Sequence, residues 1–325
     1  MYSVSDIRKW IDGAIATLVL PKEPDGLYAP ASYMMTTGGK RLRPMLCLLS
    51  GNLFTDRIDN DMLLPALGLE IFHTFTLVHD DIMDNAPVRR NRPTVHCKWN
   101  TNTAILSGDV MCIAAYQHLC QANPTYQSEI LQLFNRTAAQ VCEGQQLDMN
   151  YESRPLITEE EYLHMIELKT AVLLAAAAKI GAIAGGASAQ DAARMYAFGR
   201  WLGLAFQIQD DLLDVFGEAN VFGKNIGNDI VCDKKTFLLT LALQQAAGND
   251  KITLFTLLTA KDIAPQQKID EMLAIYRRLQ IRSQAEARIA DYFSKAMAQL
   301  DKLSVAPERQ QHLRQFTENY IEREK

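Results

Sequence analysis

Glycine and proline are scarce in this chain, at 17 and 11 of 325 residues. Blocks of alternating Val, Ile and Thr, the signature of half-buried strands, are hard to find. Together these absences exclude a β-rich fold. The six cysteines (Cys47, Cys97, Cys112, Cys120, Cys142 and Cys232) form no C-x-x-C pair and lack zinc-ligand spacing with any histidine. A disulfide framework and a structural zinc site are therefore excluded, and scattered reduced thiols are expected. Positive charge is not in excess: the net charge is −5 and the pI about 5.7. That excludes a general nucleic-acid role, so an anionic partner has to be met by local basic residues. The opening "MYSVSDIRKWIDGA" has no apolar signal core. The most apolar run, Ala171 to Ala187, is short, rich in small residues and broken by Lys179. It reads as a buried helix packed closely on its neighbours. A cytoplasmic protein with no transmembrane segment is expected.

What the chain does have is alanine, leucine and methionine, within a composition 48% hydrophobic. Helical periodicity runs between turn signals at Pro21–Gly26, Asn85–Pro93, Gln121–Thr125, Glu152–Ile157, Gly185–Ser188, Phe216–Asp229 and Asp262–Pro265. No low-complexity linker divides it. The reading is all-α, one domain over residues 1–325, with about ten or more helices. "LLPALGLEIFHTFTLVHDDIMD" and "AARMYAFGRWLGLAFQIQDDLLDVFG" are apolar on most faces and belong at the centre of a bundle.

Both central segments end in the same device. "FTLVHDDIMD" and "FQIQDDLLD" each read aromatic, short apolar run, Asp-Asp, two apolar residues, Asp. Residues four apart share a helix face, so Asp80 and Asp84 point together with Asp81 beside them, and Asp210, Asp211 and Asp214 repeat the arrangement. Aspartate is disfavoured at a helix C-terminus. Six carboxylates near one cavity repel one another unless cations lie between them. Hard oxygen ligands of this kind suit Mg2+, which commonly bridges carboxylates to phosphates. Basic residues accompany both clusters: Lys40, Arg41 and Arg43 in "GGKRLRP", Arg89 and Arg90 after the first, Lys224 and Lys234 after the second. Arginine forks and lysine charges bind diphosphate. The combination predicts two phosphorylated substrates, one held through metal and one through cations. A different metal-like pattern, Glu70 with His73 and Glu161 with His164, matches half of a di-iron bundle but lacks two further facing glutamates.

"GGKRLRP", "HTFTLVHDDIMD", "RRNRPTVH", "LKTA", "FQIQDDLLD" and "GKNIGNDIVCDKKT" stand in one order between about Gly38 and Thr236. With them the chain resembles the trans-isoprenyl diphosphate synthases, the head-to-tail prenyltransferases. The resemblance implies a helical bundle around a central cavity. It implies condensation of isopentenyl diphosphate with an allylic diphosphate (dimethylallyl, geranyl or farnesyl), about three Mg2+ per site and a homodimer. Asp80, Asp84 and Asp210 would be direct Mg2+ ligands; Asp81, Asp211 and Asp214 would be ligands or act through water. Arg89, Lys169, Lys224 and Lys234 would contact the allylic diphosphate; Lys40, Arg43, His73 and Arg90 would bind isopentenyl diphosphate. Thr170 and Gln207 would flank the reacting carbons, with Lys169 at the phosphate. Two positions depart from the family pattern: Asn91 and Asp233 stand where glycine is common. The second departure leaves the register of Lys234 against Lys235 open.

Product length depends on what closes the cavity below the first cluster. Thr76 lies four residues before Asp80, Phe75 beside it and Phe72 a turn further down. The family resemblance makes a bulky Phe75 with a small Thr76 a short-chain pattern, giving products of fifteen or twenty carbons. The alternatives are a synthase making products of twenty-five carbons or more, and a non-catalytic partner subunit. A terpene cyclase is disfavoured, because it lacks the second-substrate cations and usually has a different second motif.

Overall fold

The computed structural model describes residues 1–217, 227–260 and 262–321. Apart from one two-stranded hairpin, the regular structure among the described residues is helical. The chain divides into two compact units: residues 1–135, 176–196 and 300–317, and residues 136–175, 197–299 and 318–325.

The first unit contains α1 (Val4–Ala16), α2 (Asp25–Met35), α3 (Leu42–Asn52), α4 (Asn60–Met83), the hairpin β1 (Val88–Arg89) and β2 (Arg92–Pro93), α5 (Val95–Lys98) and α6 (Thr101–Leu119). Helix α4 is long and apolar enough to cross a membrane by composition, yet 61% of its most apolar window is buried, as befits a core helix. It starts where the Asp59 carboxylate accepts from the Asp61 N–H. The small-residue run read as a close-packing helix behaves that way. A side chain at Gly181 would meet the Cys47 carbonyl oxygen of α3 at 1.8 Å, and one at Gly185 would meet that of Gly51 at 2.5 Å.

The long helices α7 (Pro124–Glu152), α9 (Val172–Ala184), α10 (Ala189–Phe216) and α15 (Ile281–Leu300) share the remaining chain with α8 (Glu159–Ile166), α11 (Asn228–Val231), α12 (Phe237–Gln245), α13 (Gly248–Thr259), α14 (Pro265–Arg278) and α16 (Pro307–Ile321). In the second unit Tyr162, Ile208, Phe237, Leu238, Leu254, Ile275 and Tyr276 form a tight apolar centre, all at most 1% exposed. Helix α8 opens on a capping box between Thr158 and Glu161. It then widens into a π-helical turn over Glu167–Ala171 before α9 continues. Such turns cost hydrogen-bond quality and mark functional sites; this one carries Lys169 and Thr170.

Candidate active site

The first aspartate cluster ends α4. Asp84 caps the helix, Asn85 takes a left-handed φ of 50°, and the Ala86 N–H closes the turn on the Asp81 carbonyl. The chain then reverses through the β1–β2 hairpin. Arg89 pairs with Arg92, so Arg90 and Asn91 occupy the two central positions, with φ of 51° and 59°. Two positive φ values in a two-residue loop are the requirement of a type I′ turn, and asparagine is one of the few non-glycine residues that tolerates it. The departure at Asn91 therefore keeps the left-handed backbone that glycine would adopt.

The hairpin brings Arg89 back onto the aspartates. Its Nε donates to Asp81 Oδ1 at 2.6 Å and its Nη2 to Asp80 Oδ2 at 3.2 Å. Asp84 is exposed and Asp80 half-buried, its side chain 18% exposed, while Asp81 is fully buried. Burial raises the Asp81 carboxyl above its usual range, with the Arg89 charge and hydrogen bond opposing the shift. Asp81 Oδ2 is buried with no hydrogen-bond partner.

Arg90 lies over the Gly38–Gly39 turn and donates to the Gly38 carbonyl. A Cβ at Gly39, where φ is 129°, would come within 2.6–2.8 Å of that guanidinium. The Gly-Gly pair of "GGKRLRP" is thus the cradle of Arg90. Lys40 is exposed beyond it and Arg43 half-buried on α3. His73 sits among these cations. Burial holds its imidazole well below the usual range, reinforced by the charges of Arg43, Arg90, Arg89 and Arg41, so it is neutral. Arg41 itself turns inward, donating to Glu70 at 2.8 Å and to the Met35 carbonyl at 2.7 Å.

In the second unit Lys169 donates to Asp148 at 2.5 Å. The backbone of its π-turn crosses α7 at Gly144, where a Cβ would meet the Lys169 nitrogen at 2.2 Å. Thr170 Oγ1 donates to Gln207 Oε1 at 2.9 Å, and Gln207 Nε2 to Asp211 Oδ1 at 3.2 Å. Asp211 Oδ2 accepts from the Tyr162 hydroxyl at 2.5 Å and the Phe237 N–H at 2.8 Å. Burial and the Asp229 carboxylate push the Asp211 carboxyl up to about 7, opposed by those two donors and by Lys234. Asp210 is exposed and Asp214 half-buried; Asp214 Oδ2 accepts from the Asp229 N–H at 2.9 Å. Asp233 takes a φ of 54°, again the left-handed value glycine favours. Lys234 is exposed, whereas Lys235 is buried with its Nζ turned back to the Asp233 carbonyl at 3.4 Å. Lys234 is therefore the one presented. Lys224 lies outside the described residues.

The middle aspartate of each triplet is thus turned into the protein, because a helix rotates it about 100° from its neighbour. Asp81 and Asp211 were expected beside the other carboxylates. Asp211 meets donors of its own unit on both oxygens, Gln207 on one and Tyr162 and Phe237 on the other. Among the described residues no three His, Cys, Asp or Glu side chains gather closely enough to hold a metal alone. Outward carboxylates and an unpartnered Asp81 oxygen fit Mg2+, which takes one or two carboxylates and completes its shell with water and phosphate oxygens. The di-iron pattern does not survive: Glu70 is committed to Arg41, and Glu161 to the helix cap and Arg154 at 2.7 Å.

Below the first cluster an aromatic row runs Tyr116, Phe134, Phe72, Phe75, His79, with successive centroids 5.0, 5.0, 5.4 and 4.8 Å apart. Phe72 is fully buried and Phe75 half-buried; the Thr76 hydroxyl donates back to the His73 carbonyl. Sequence reasoning missed Asp148 and Tyr162, and met Glu70 only as half of a di-iron pattern. Glu70 carries a signal in retrospect, as a lone acid on an apolar stretch of helix; Asp148, four residues from Glu152, and Tyr162 carry none.

The polyprenyl synthetase family profile matches residues 24–276. A short chain isoprenyl diphosphate synthase of Methanothermobacter thermautotrophicus is 37% identical over 315 residues, 95% of this chain and 96% of that protein. A geranylfarnesyl diphosphate synthase of Natronomonas pharaonis is 36% identical over 75% of this chain and 76% of its own. A crystal structure of a geranylgeranyl pyrophosphate synthase superposes with a TM-score of 0.92 at 36% identity, covering 99% of both chains.

Proposed function

This chain belongs to the polyprenyl synthetase family, and we propose that it joins isopentenyl diphosphate head-to-tail to an allylic diphosphate, giving an all-trans product of fifteen or twenty carbons and releasing diphosphate. The observation that carries the reading is the cation set of the first unit. Arg90 in its glycine cradle, Arg43 and a neutral His73 lie with the Arg89-clamped aspartates. A catalyst that only ionises one diphosphate has no use for this second group of cations.

Asp80, Asp84 and Asp210 would hold about three Mg2+ per site together with diphosphate oxygens, supported by Asp81, Asp211 and Asp214. When bound, the metal acts as a Lewis acid on the leaving diphosphate. Arg89, Lys169 and Lys234 take up negative charge on the allylic diphosphate, and Lys224 is assigned the same role. Lys40, Arg43, His73 and Arg90 bind isopentenyl diphosphate, His73 as a neutral hydrogen-bonding group. Thr170 and Gln207 turn oxygen dipoles toward the developing allylic cation. Apolar walls exclude water that would quench it. The departing diphosphate accepts the final proton, so no side-chain base is required. Phe75 floors the cavity with Phe72 behind it and Thr76 alongside, each step of the aromatic row braced by the next.

The chain acts as one catalytic domain over residues 1–325, cytoplasmic and homodimeric. The exposed apolar stripe Ile105, Leu106 and Ile113 on α6, spaced at helical intervals, supports the dimer. The deciding experiment incubates the protein with Mg2+, isopentenyl diphosphate and each allylic primer in turn, and identifies the dephosphorylated alcohols by mass. One dominant alcohol of fifteen or twenty carbons is expected, abolished by EDTA. Products of twenty-five carbons or more would keep the chemistry and remove Phe75 as the floor. No condensation with any primer would leave the non-catalytic subunit.

A further inference from the structure

The geometry points to Arg200 as a positioning residue that clamps the π-turn over Glu167–Ala171 and, through it, aims Lys169 and Thr170. The inference deepens the proposed prenyl transfer and rests on it, since it takes those two side chains to serve the allylic substrate.

A π-turn is an α-helix carrying one residue too many, and its wider ring makes poorer hydrogen bonds. Glu167–Ala171 holds no glycine or proline that would pin the extra residue there, so contacts from neighbouring helices have to do so. The bond that defines the turn runs from the Val172 N–H to the Glu167 carbonyl. In a regular α-helix that carbonyl would accept from the Ala171 N–H instead. Glu167 is therefore the residue whose orientation separates the two forms, and its side chain is the one that Arg200 grips. Arg200 Nε donates to Oε1 and Nη2 to Oε2, both at 2.6 Å. Two parallel bonds from a planar guanidinium fix direction as well as distance. The guanidinium lies over the Trp201 ring, 4.6 Å from its centroid, and Trp201 packs on Tyr292 of α15 at 5.4 Å.

Helix α10 also holds the far end of the turn. Gly203 shares the side of α10 that carries Arg200 and lies against Ala171, where a Cβ would come within 2.6 Å of the Ala171 Cα. One turn further along α10, Gln207 accepts from the Thr170 hydroxyl at 2.9 Å. Entry, exit and one functional side chain of the turn are thus all referred to α10. The Arg200 and Glu167 side chains are 34% and 27% exposed, and ion pairs in that much water contribute little to folding. What the pair supplies is direction. Its loss therefore shows in turnover and in local opening of the turn, and hardly at all in melting temperature.

The test measures kcat, both KM values, melting temperature and amide hydrogen exchange over residues 167–172. The variants are Arg200→Met, Arg200→Lys, Glu167→Met, Arg200→Met with Glu167→Met, and Arg200→Met in a Thr170→Val background. Arg200→Met and Glu167→Met are each expected to lower kcat about tenfold, part of the hundredfold that a misplacement of about 1 Å can cost. The two together lower it no further, because both open the same clamp. KM for isopentenyl diphosphate stays within about twofold, since none of its proposed contacts is on the turn. Arg200→Lys keeps the charge, loses the fork and lowers kcat several-fold. In Thr170→Val the further loss from Arg200→Met shrinks to about threefold or less, because one of the aimed side chains is already gone. Exchange over 167–172 speeds up in Arg200→Met, and its melting temperature moves by about 2 °C or less. Wild-type kcat in Arg200→Met, a loss that multiplies in full with Thr170→Val, or unchanged exchange over the turn each overturns the inference. Should Arg200→Met not fold, Arg200→Lys decides by the same readouts. Faster exchange in the variant, beside a wild-type protein that condenses no primer, would instead sink the prenyl-transfer reading and leave the clamp standing.

Discussion

Gly144→Ala adds one methyl group to α7, and the structure says where it goes. Its Cβ would lie 2.2 Å from the Lys169 nitrogen and 2.7 Å from both the Leu168 carbonyl carbon and the Lys169 Cα. Real Cβ contacts essentially never fall under 3.0 Å, so the gap has to open by about 0.8 Å, the difference between 3.0 and 2.2. All three neighbours are backbone, and no flexible side chain can absorb the shift. On stability, alanine gains about 1 kcal/mol over glycine inside a helix. Overpacking costs about 1–3 kcal/mol. The net loss is then about 0–2 kcal/mol, and the protein folds. On activity the outcome is different. The displaced turn carries Lys169 and Thr170, and Asp148, four residues along the same face of α7, holds Lys169 at 2.5 Å. A misplacement of about 1 Å at a reacting centre can cost a hundredfold in rate. Steady-state kinetics beside thermal unfolding should therefore show kcat down about a hundredfold with a small change in melting temperature. Wild-type kcat would refute the argument that the π-turn geometry is held by this contact.

Phe75→Ala removes the middle of the aromatic row and should lengthen the product, read by mass of the alcohols; an unchanged spectrum would place the floor elsewhere. Arg41→Met strands the buried Glu70 carboxylate; the Arg41 and Glu70 side chains are 6% and 3% exposed. It should cost about 3–5 kcal/mol in denaturant unfolding, and Arg41→Met with Glu70→Met should recover much of it. His73 has its folded pKa depressed by burial and four arginines, so the unfolded chain takes up the proton first as pH falls through the ordinary 6.5. Its contribution to stability is fully present above that value and is lost below it. His73→Gln should flatten this part of the acid limb in a pH series of melting temperatures; an identical slope in both proteins would show that His73 is not the group responsible.

Periodicity and composition were enough to read the helices, the two Asp-Asp-x-x-Asp ends and the cations that follow them. Those signals are local: a 3.6-residue period and a carboxylate spacing of four survive in the bare sequence. Even the departures at Asn91 and Asp233 were visible as positions where glycine was expected, and both take the left-handed backbone. Which aspartates face outward was not legible, because Asp81 and Asp211 are identical in type to their neighbours. Their burial follows from what packs against the inner side of each helix. Tyr162 reaches Asp211 across 49 residues of chain and Arg41 reaches Glu70 across 29. Gly144 matters only because a turn some 25 residues later crosses α7 at that point. Helix propensity and local spacing carry no record of such encounters. They come into being when apolar faces are buried together and each buried polar group has to find a partner. The sequence by itself determined which chemistry the residues could support; the tertiary structure decided which residues perform it and which hold the others in place.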